Sequence, residues 1–124
     1  MPRSAQTISH FSPKEISQLF KKARRVLTHP GLHILVAPAN QSLGRVLVVT
    51  SRKIGNAPTR NKIRRQLKAI FYEEKLYEKG ADCVVIVKLG GPNLDFPHLK
   101  ELLLKAFAIY ATTQTHPSTD RQAS

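Results

Sequence analysis

The sequence predicts an α+β fold: a single small domain with three helices packed on a small mixed β-sheet. Three observations predict it. The chain has 124 residues, a length that suits one domain and buries one modest core. Three segments repeat apolar residues at helical spacing, and three short apolar runs read as strands. Their order is helix, strand, strand, helix, strand, helix, which suits helices layered on a sheet.

HFSPKEISQLFKKARRVL, residues 10–27, reads as the first helix. Ser12 is its N-cap, Pro13 suits the first turn, and Glu15 completes a Ser-x-x-Glu capping box. Phe11 and Ile16 are spaced to staple across that cap. Ile16, Leu19, Phe20, Ala23 and Leu27 form an apolar stripe, and Lys21, Lys22, Arg24 and Arg25 complement the dipole at its C-terminal end.

HPG (29–31) breaks the chain. LHILVAP (32–38) is a strand, NQSLG (40–44) a turn, and RVLVVTS (45–51) a second strand, predicted to be buried. The short link predicts that these two strands pair antiparallel. Residues 56–79 form the second helix. DCVVIVK (82–88) is the third strand, and its continuous apolar character suits a central position. GGPN is a loop, and a third helix runs from Asp95, its N-cap, to Ala111. The domain thus spans 11–111, between a flexible N-terminus (1–10) and a polar tail (112–124) expected to be disordered.

Charge narrows the function. Twenty Lys and Arg face eight Asp and Glu, a net +12, which implies a polyanionic partner. Residues 1–79 hold sixteen of the cations and four of the acids, so the whole excess lies in the first two-thirds. That asymmetry fits a binding face better than a solubility device. The one cysteine, Cys83, rules out an intrachain disulfide and reads as a small buried hydrophobe. A reducing cytoplasm is the expected compartment. The first residues lack a signal peptide's apolar core, and no run has the roughly 20 apolar residues of a membrane helix. Neither a membrane partner nor a protein homo-oligomer is expected.

The charge concentrates in GNAPTRNKIRRQLK, residues 55–68. On a helix of about 100° per residue, Ile63, Leu67, Ile70 and Phe71 share one arc, with Tyr77 at its margin. Asn61, Arg64, Arg65, Lys68 and Tyr72 share the neighbouring arc, and Arg52 and Lys53 lie just upstream. Lys and Arg make charge-assisted contacts to phosphates, and Asn bonds sugar or base edges. A merely solvated face would mix its signs at i, i+4, yet no acid interrupts this run before Glu73. Gly55 either sharpens the turn or opens the helix N-terminus to a phosphate, and one glycine fits both readings.

The five histidines, at 10, 29, 33, 98 and 116, show no metal-ligand spacing, and His33 reads as a packed strand residue. The acids form no nuclease-type cluster, and Glu73, Glu74 and Glu78 read as ordinary helix surface. The residues alone point to a nucleic-acid-binding domain without a protein active site.

SRKIGNAPTRNKIRRQLK resembles the signature of the bacterial ribonuclease P protein component, roughly S-x-K-x-G-x-A-x-x-R-N-R-x-K-R-x-x-R. Ser51, Lys53, Gly55, Ala57, Arg60, Asn61 and Arg65 match it, while Lys62, Arg64 and Lys68 exchange Lys and Arg. DCVVIVKLGG and EISQLFKK resemble the family's last strand and first helix, so the likeness spans about 11–110. It implies a fold similar to ribosomal protein S5 domain 2, with a left-handed βαβ crossover that runs against the general rule.

It also implies an RNA-binding subunit of a holoenzyme that hydrolyses the 5′ leader from precursor tRNA. The catalytic RNA would supply the active site and Mg²⁺, and no cofactor would be tightly bound by the protein. By resemblance, Arg60, Asn61, Lys62, Arg64, Arg65 and Lys68 would bind the RNA subunit, with Arg52 and Lys53 extending that surface. Phe20 would stack in a leader cleft between the first helix and the sheet, although its sequence position equally fits a core residue. Ile16 and Leu35 stand where the family has aromatics in that cleft. The rival readings are a ribosomal or other structural RNA-binding protein, a protein-only nuclease and a DNA-binding regulator.

Overall fold

The computed structural model describes residues 11–39 and 43–115, with side chains to 112. The expectations for residues 1–10, for the turn at 40–42 and for the tail beyond 115 concern residues outside those described. Among those described, the chain forms helices α1 (Pro13–Lys22), α2 (Ala57–Glu73) and α3 (Phe96–Thr115), and strands β1 (Arg24–Thr28), β2 (Leu32–Pro38), β3 (Val46–Val49) and β4 (Ala81–Val87). No helix among them is long and apolar enough to cross a membrane.

The predicted capping box forms. Ser12 Oγ accepts from the Glu15 N–H at 3.2 Å, and the Glu15 carboxylate accepts from the Ser12 N–H at 2.9 Å. The first helix does not continue to Leu27, however. It stops at Lys22, and Arg24–Thr28 becomes an edge strand paired antiparallel with β2. The His29-Pro30-Gly31 turn makes this possible: the His29 and Leu32 backbones bond each other, and the Gly31 N–H donates to His29 Nδ1. Extended backbone suits β-branched Val26 and Thr28 better than a helix, and Thr28 pairs with His33. A bulge between Arg25 and Leu27 breaks the alternation, which disguised this strand in the sequence.

The sheet order is β1-β2-β4-β3. The expected β2–β3 antiparallel pair is therefore wrong. β4 lies between them, antiparallel to β2 and parallel to β3. Its apolar side chains face both ways, so it needs a neighbour on each edge and cover on each face. Ala39 and Gly44 instead bond beside the start of β4: the Ala39 N–H donates to Gly80 O, and the Gly44 N–H to Tyr77 O. β3, α2 and β4 thus form a parallel βαβ unit. As the sheet's outer strand, β3 buries only Val46 fully, less than predicted.

One sheet face carries the main core. Leu32, Ile34, Val36, Cys83, Val85 and Val87 pack beneath α2 and α3, where the Phe71 and Phe107 rings lie 6.0 Å apart. Cys83 is buried as expected, and burial pushes its thiol well above the ordinary range. The second helix ends at Glu73 rather than near 79, because Lys75 adopts φ 54° and a separate turn follows at Leu76–Glu78. Tyr77 consequently leaves the helix and packs against Tyr72. The third helix begins as predicted, with the His98 N–H donating to Asp95 Oδ1, and runs on to Thr115. Among the described residues, the opposite sheet face is covered by α1, through Leu19 on Ala37 and Val84.

Candidate nucleic-acid interface

The approach to α2 is fixed by its turn. Gly55 has φ 154° and ψ −172°, a region open essentially to glycine, and an added Cβ would sit 3.1 Å from the Thr59 side chain. Gly55 thus stands at a sharp turn where a Cβ would be strained. Asn56 Oδ1 caps α2 by accepting from the Thr59 N–H at 3.0 Å, and Arg60 Nε donates to Gly55 O at 3.1 Å. We expect Gly55→Ala to lose roughly 1–3 kcal/mol of stability, read by urea denaturation, because the strained backbone has no relaxed alternative.

α2 buries Ile63, Leu67, Ile70 and Phe71, as its apolar stripe predicts. Arg60, Arg64, Lys68, Asn61 and Arg65 then fall on an arc of about 140° beside that stripe. Arg64 fastens this flank to the sheet: Nη1 donates to Asn61 Oδ1 at 2.7 Å and Nη2 to Thr50 Oγ1 at 2.6 Å. Asn61 and Arg65 are exposed, as are Arg52 and Lys53 on the turn that precedes the helix. Lys68 is half-buried; desolvation first, then the Arg64 charge, lowers its pKa. An incoming anion would oppose both effects by favouring the charged ammonium.

Lys62 is exposed at the far edge of this cluster. It lies at the margin of the arc, about 60° beyond Arg65 around the helix, and lines a recess with Gln66, Leu94 and Asp95.

A second surface lies on the α1 side of the sheet. In register, Arg25, Leu35, Val84 and Leu47 form one cross-strand row, and Thr28, His33, Ile86 and Val49 the next. Leu19 covers Val84, while Leu35, Leu47, Val49 and Ile86 stay half-exposed. Of the cleft residues expected from the resemblance, Ile16 and Leu35 are half-buried and Phe20 is 41% exposed. Leu19, not Phe20, supplies the helix-to-sheet contact, which leaves the Phe20 ring available at the surface.

A buried ionic group holds α1 in place, and sequence reasoning missed it. Arg45 Nη1 donates to Glu15 Oε2 at 3.0 Å, Nη2 lies 3.8 Å from Asp82 Oδ2, and the Arg45 backbone N–H donates to Asp82 Oδ1 at 2.8 Å. The guanidinium also sits 4.2 Å above the Phe11 ring. Burial raises the Asp82 pKa against the opposing pull of Arg45, whereas the Ser12 N–H and then Arg45 lower that of Glu15. The signal was a lone Arg opening an apolar strand, but its partner is 37 residues away and no local period reveals it. Among the described residues, no group of three or more His, Cys, Asp or Glu could hold a metal ion.

The family model described as Ribonuclease P matches residues 10–111 of this chain. The ribonuclease P protein component of Citrifermentans bemidjiense is 32% identical, over 73% of this chain and 91% of that protein. That of Bacillus pumilus is 31% identical, over 84% and 88%. The solved RNase P protein of Thermotoga maritima superposes with a TM-score of 0.68 at 25% identity, covering 80% of this chain and 94% of that one. The Staphylococcus aureus RNase P protein gives 0.72 at 19% identity, over 83% and 94%, a likeness of fold.

Proposed function

The chain belongs to the ribonuclease P protein family, and from that premise we propose how it serves tRNA processing: it binds and positions RNA. The α2 flank binds the catalytic RNA subunit, and the cleft between α1 and the open sheet holds the 5′ leader of precursor tRNA. The RNA carries out hydrolysis with its own Mg²⁺. The protein's carboxylates fit that division, since Glu15 and Asp82 are engaged with Arg45 and Glu73 and Glu74 lie beyond the basic flank.

The observation that carries this reading is the acid-free arc of Arg60, Asn61, Arg64, Arg65 and Lys68, fastened to the sheet by Arg64. Such a rigid face needs little ordering when it meets a phosphate backbone. By neutralising phosphates where RNA subunit and substrate meet, it would lower the free Mg²⁺ required.

The test is cleavage of precursor tRNA at low Mg²⁺ by a bacterial ribonuclease P RNA, with and without this protein. The expected result is slow cleavage by RNA alone, none by protein alone, and release of the correct 5′ leader by the mixture. Binding without rescue, repeated with the cognate RNA, would remove the processing role and leave an RNA-binding protein.

A further inference from the structure

The open end of the sheet holds a ring that the reading above leaves unused. His33 pairs with Thr28 of β1 and Ile86 of β4 and lies two residues from Leu35 on the same face. Leu35, Leu47, Val49 and Ile86 make a half-buried apolar ledge around it. Arg25, paired with Leu35, shares that face, and Lys88 continues the β4 alternation from Ile86 onto it. Both cations are exposed. Desolvation first, then Lys88 and Arg25, depress the imidazole pKa, so the ring is uncharged at neutral pH.

A structural histidine is normally sealed, with its ring nitrogens bonded. His33 is half-exposed, and among the described residues no hydrogen bond reaches its ring. What remains is a flat neutral ring on an apolar floor with a cation to either side. That is the chemistry of a single-stranded nucleotide site, with base on ring and phosphates on cations. We propose that His33 is a stacking platform for one unpaired base of the 5′ leader, with Arg25 and Lys88 holding the neighbouring phosphates. The inference rests on the cleft reading and deepens it, giving the cleft a second ring beside Phe20 where Leu35 offers none.

The test uses holoenzyme reconstituted with ribonuclease P RNA, and precursor tRNA carrying either a long or a truncated leader. Wild-type protein is expected to bind the long leader more tightly. His33→Ala should lose about fivefold or more of that gain, the lower end of one stacked base. His33→Phe should keep it, and all three proteins should bind the truncated leader alike. Full retention of the gain by His33→Ala overturns the inference, as does an equal loss on both substrates, or a His33→Phe protein as weak as the alanine variant. If wild-type protein gains nothing from the long leader, the cleft reading itself falls and takes the inference with it.

Discussion

Arg45→Ala is expected to remove about 3–5 kcal/mol of folding stability, in the range for breaking a buried ion pair from one side. The side chains of Arg45 and Asp82 are 8% and 5% exposed, so the substitution strands the Asp82 carboxylate in a dry site. It also removes the cover from Phe11 and the hold on Glu15 at the start of α1. Urea denaturation at neutral pH measures the loss. The deficit should narrow as pH falls. Burial already raises the Asp82 pKa, and without the arginine it rises further, so the folded variant takes up a proton and acid relieves the stranded charge. Glu15 works the other way in the native protein: its pKa is lowered, so its contribution fades as pH falls through that value. A double substitution, Arg45→Met with Asp82→Asn, should recover much of the loss, because it replaces a charge pair with a neutral one. Equal deficits in the single and double variants would show that Arg45 acts through packing alone.

Arg65→Ala is expected to weaken binding to the RNA subunit roughly tenfold, the scale of one charge-assisted hydrogen bond, while stability stays within about 0.5 kcal/mol. Arg65 separates these quantities because it is exposed and makes no hydrogen bond or ion pair among the described residues. Arg64 does not, since its contacts to Asn61 and Thr50 mean that its loss also removes structural hydrogen bonds of α2. If about five phosphates are neutralised, log affinity should fall against log salt with a slope of roughly −3.5 to −4.5. Arg65→Ala should make that slope shallower by about 0.7–0.9. A filter-binding titration over salt gives both values, and unchanged affinity would exclude Arg65 from the interface.

Much of this was legible in local sequence. Ser12 and Glu15 announced a capping box, Asn61 to Lys68 a basic flank, and the unbroken apolar run around Cys83 an interior strand. Each signal is carried by residues within one or two turns of each other. What sequence hid was non-local. Ala23 and Leu27 keep helical spacing, yet the hairpin with β2 turns their segment into a strand. β2 and β3 look like a hairpin by the length of their link, but the chain inserts β4 from beyond α2. Lys62 belongs to the basic run by sequence but only to the edge of the basic arc by helix geometry. Arg45 and Asp82 became partners only through the register that sets β3 beside β4.

The place of β4 also governs how the domain comes into being. β3 has no other neighbour, and β2 has only β1 until β4 docks. On the ribosome, α1, all three earlier strands and the whole basic helix therefore emerge before the strand that joins them. Assembly of the sheet must wait for residues 81–87, and closure of the core for α3 beyond them, through contacts between distant parts of the chain. Until that moment the cations of α2 stand on a segment without a floor, so the nascent chain carries its charge before it has the shape that makes the charge selective.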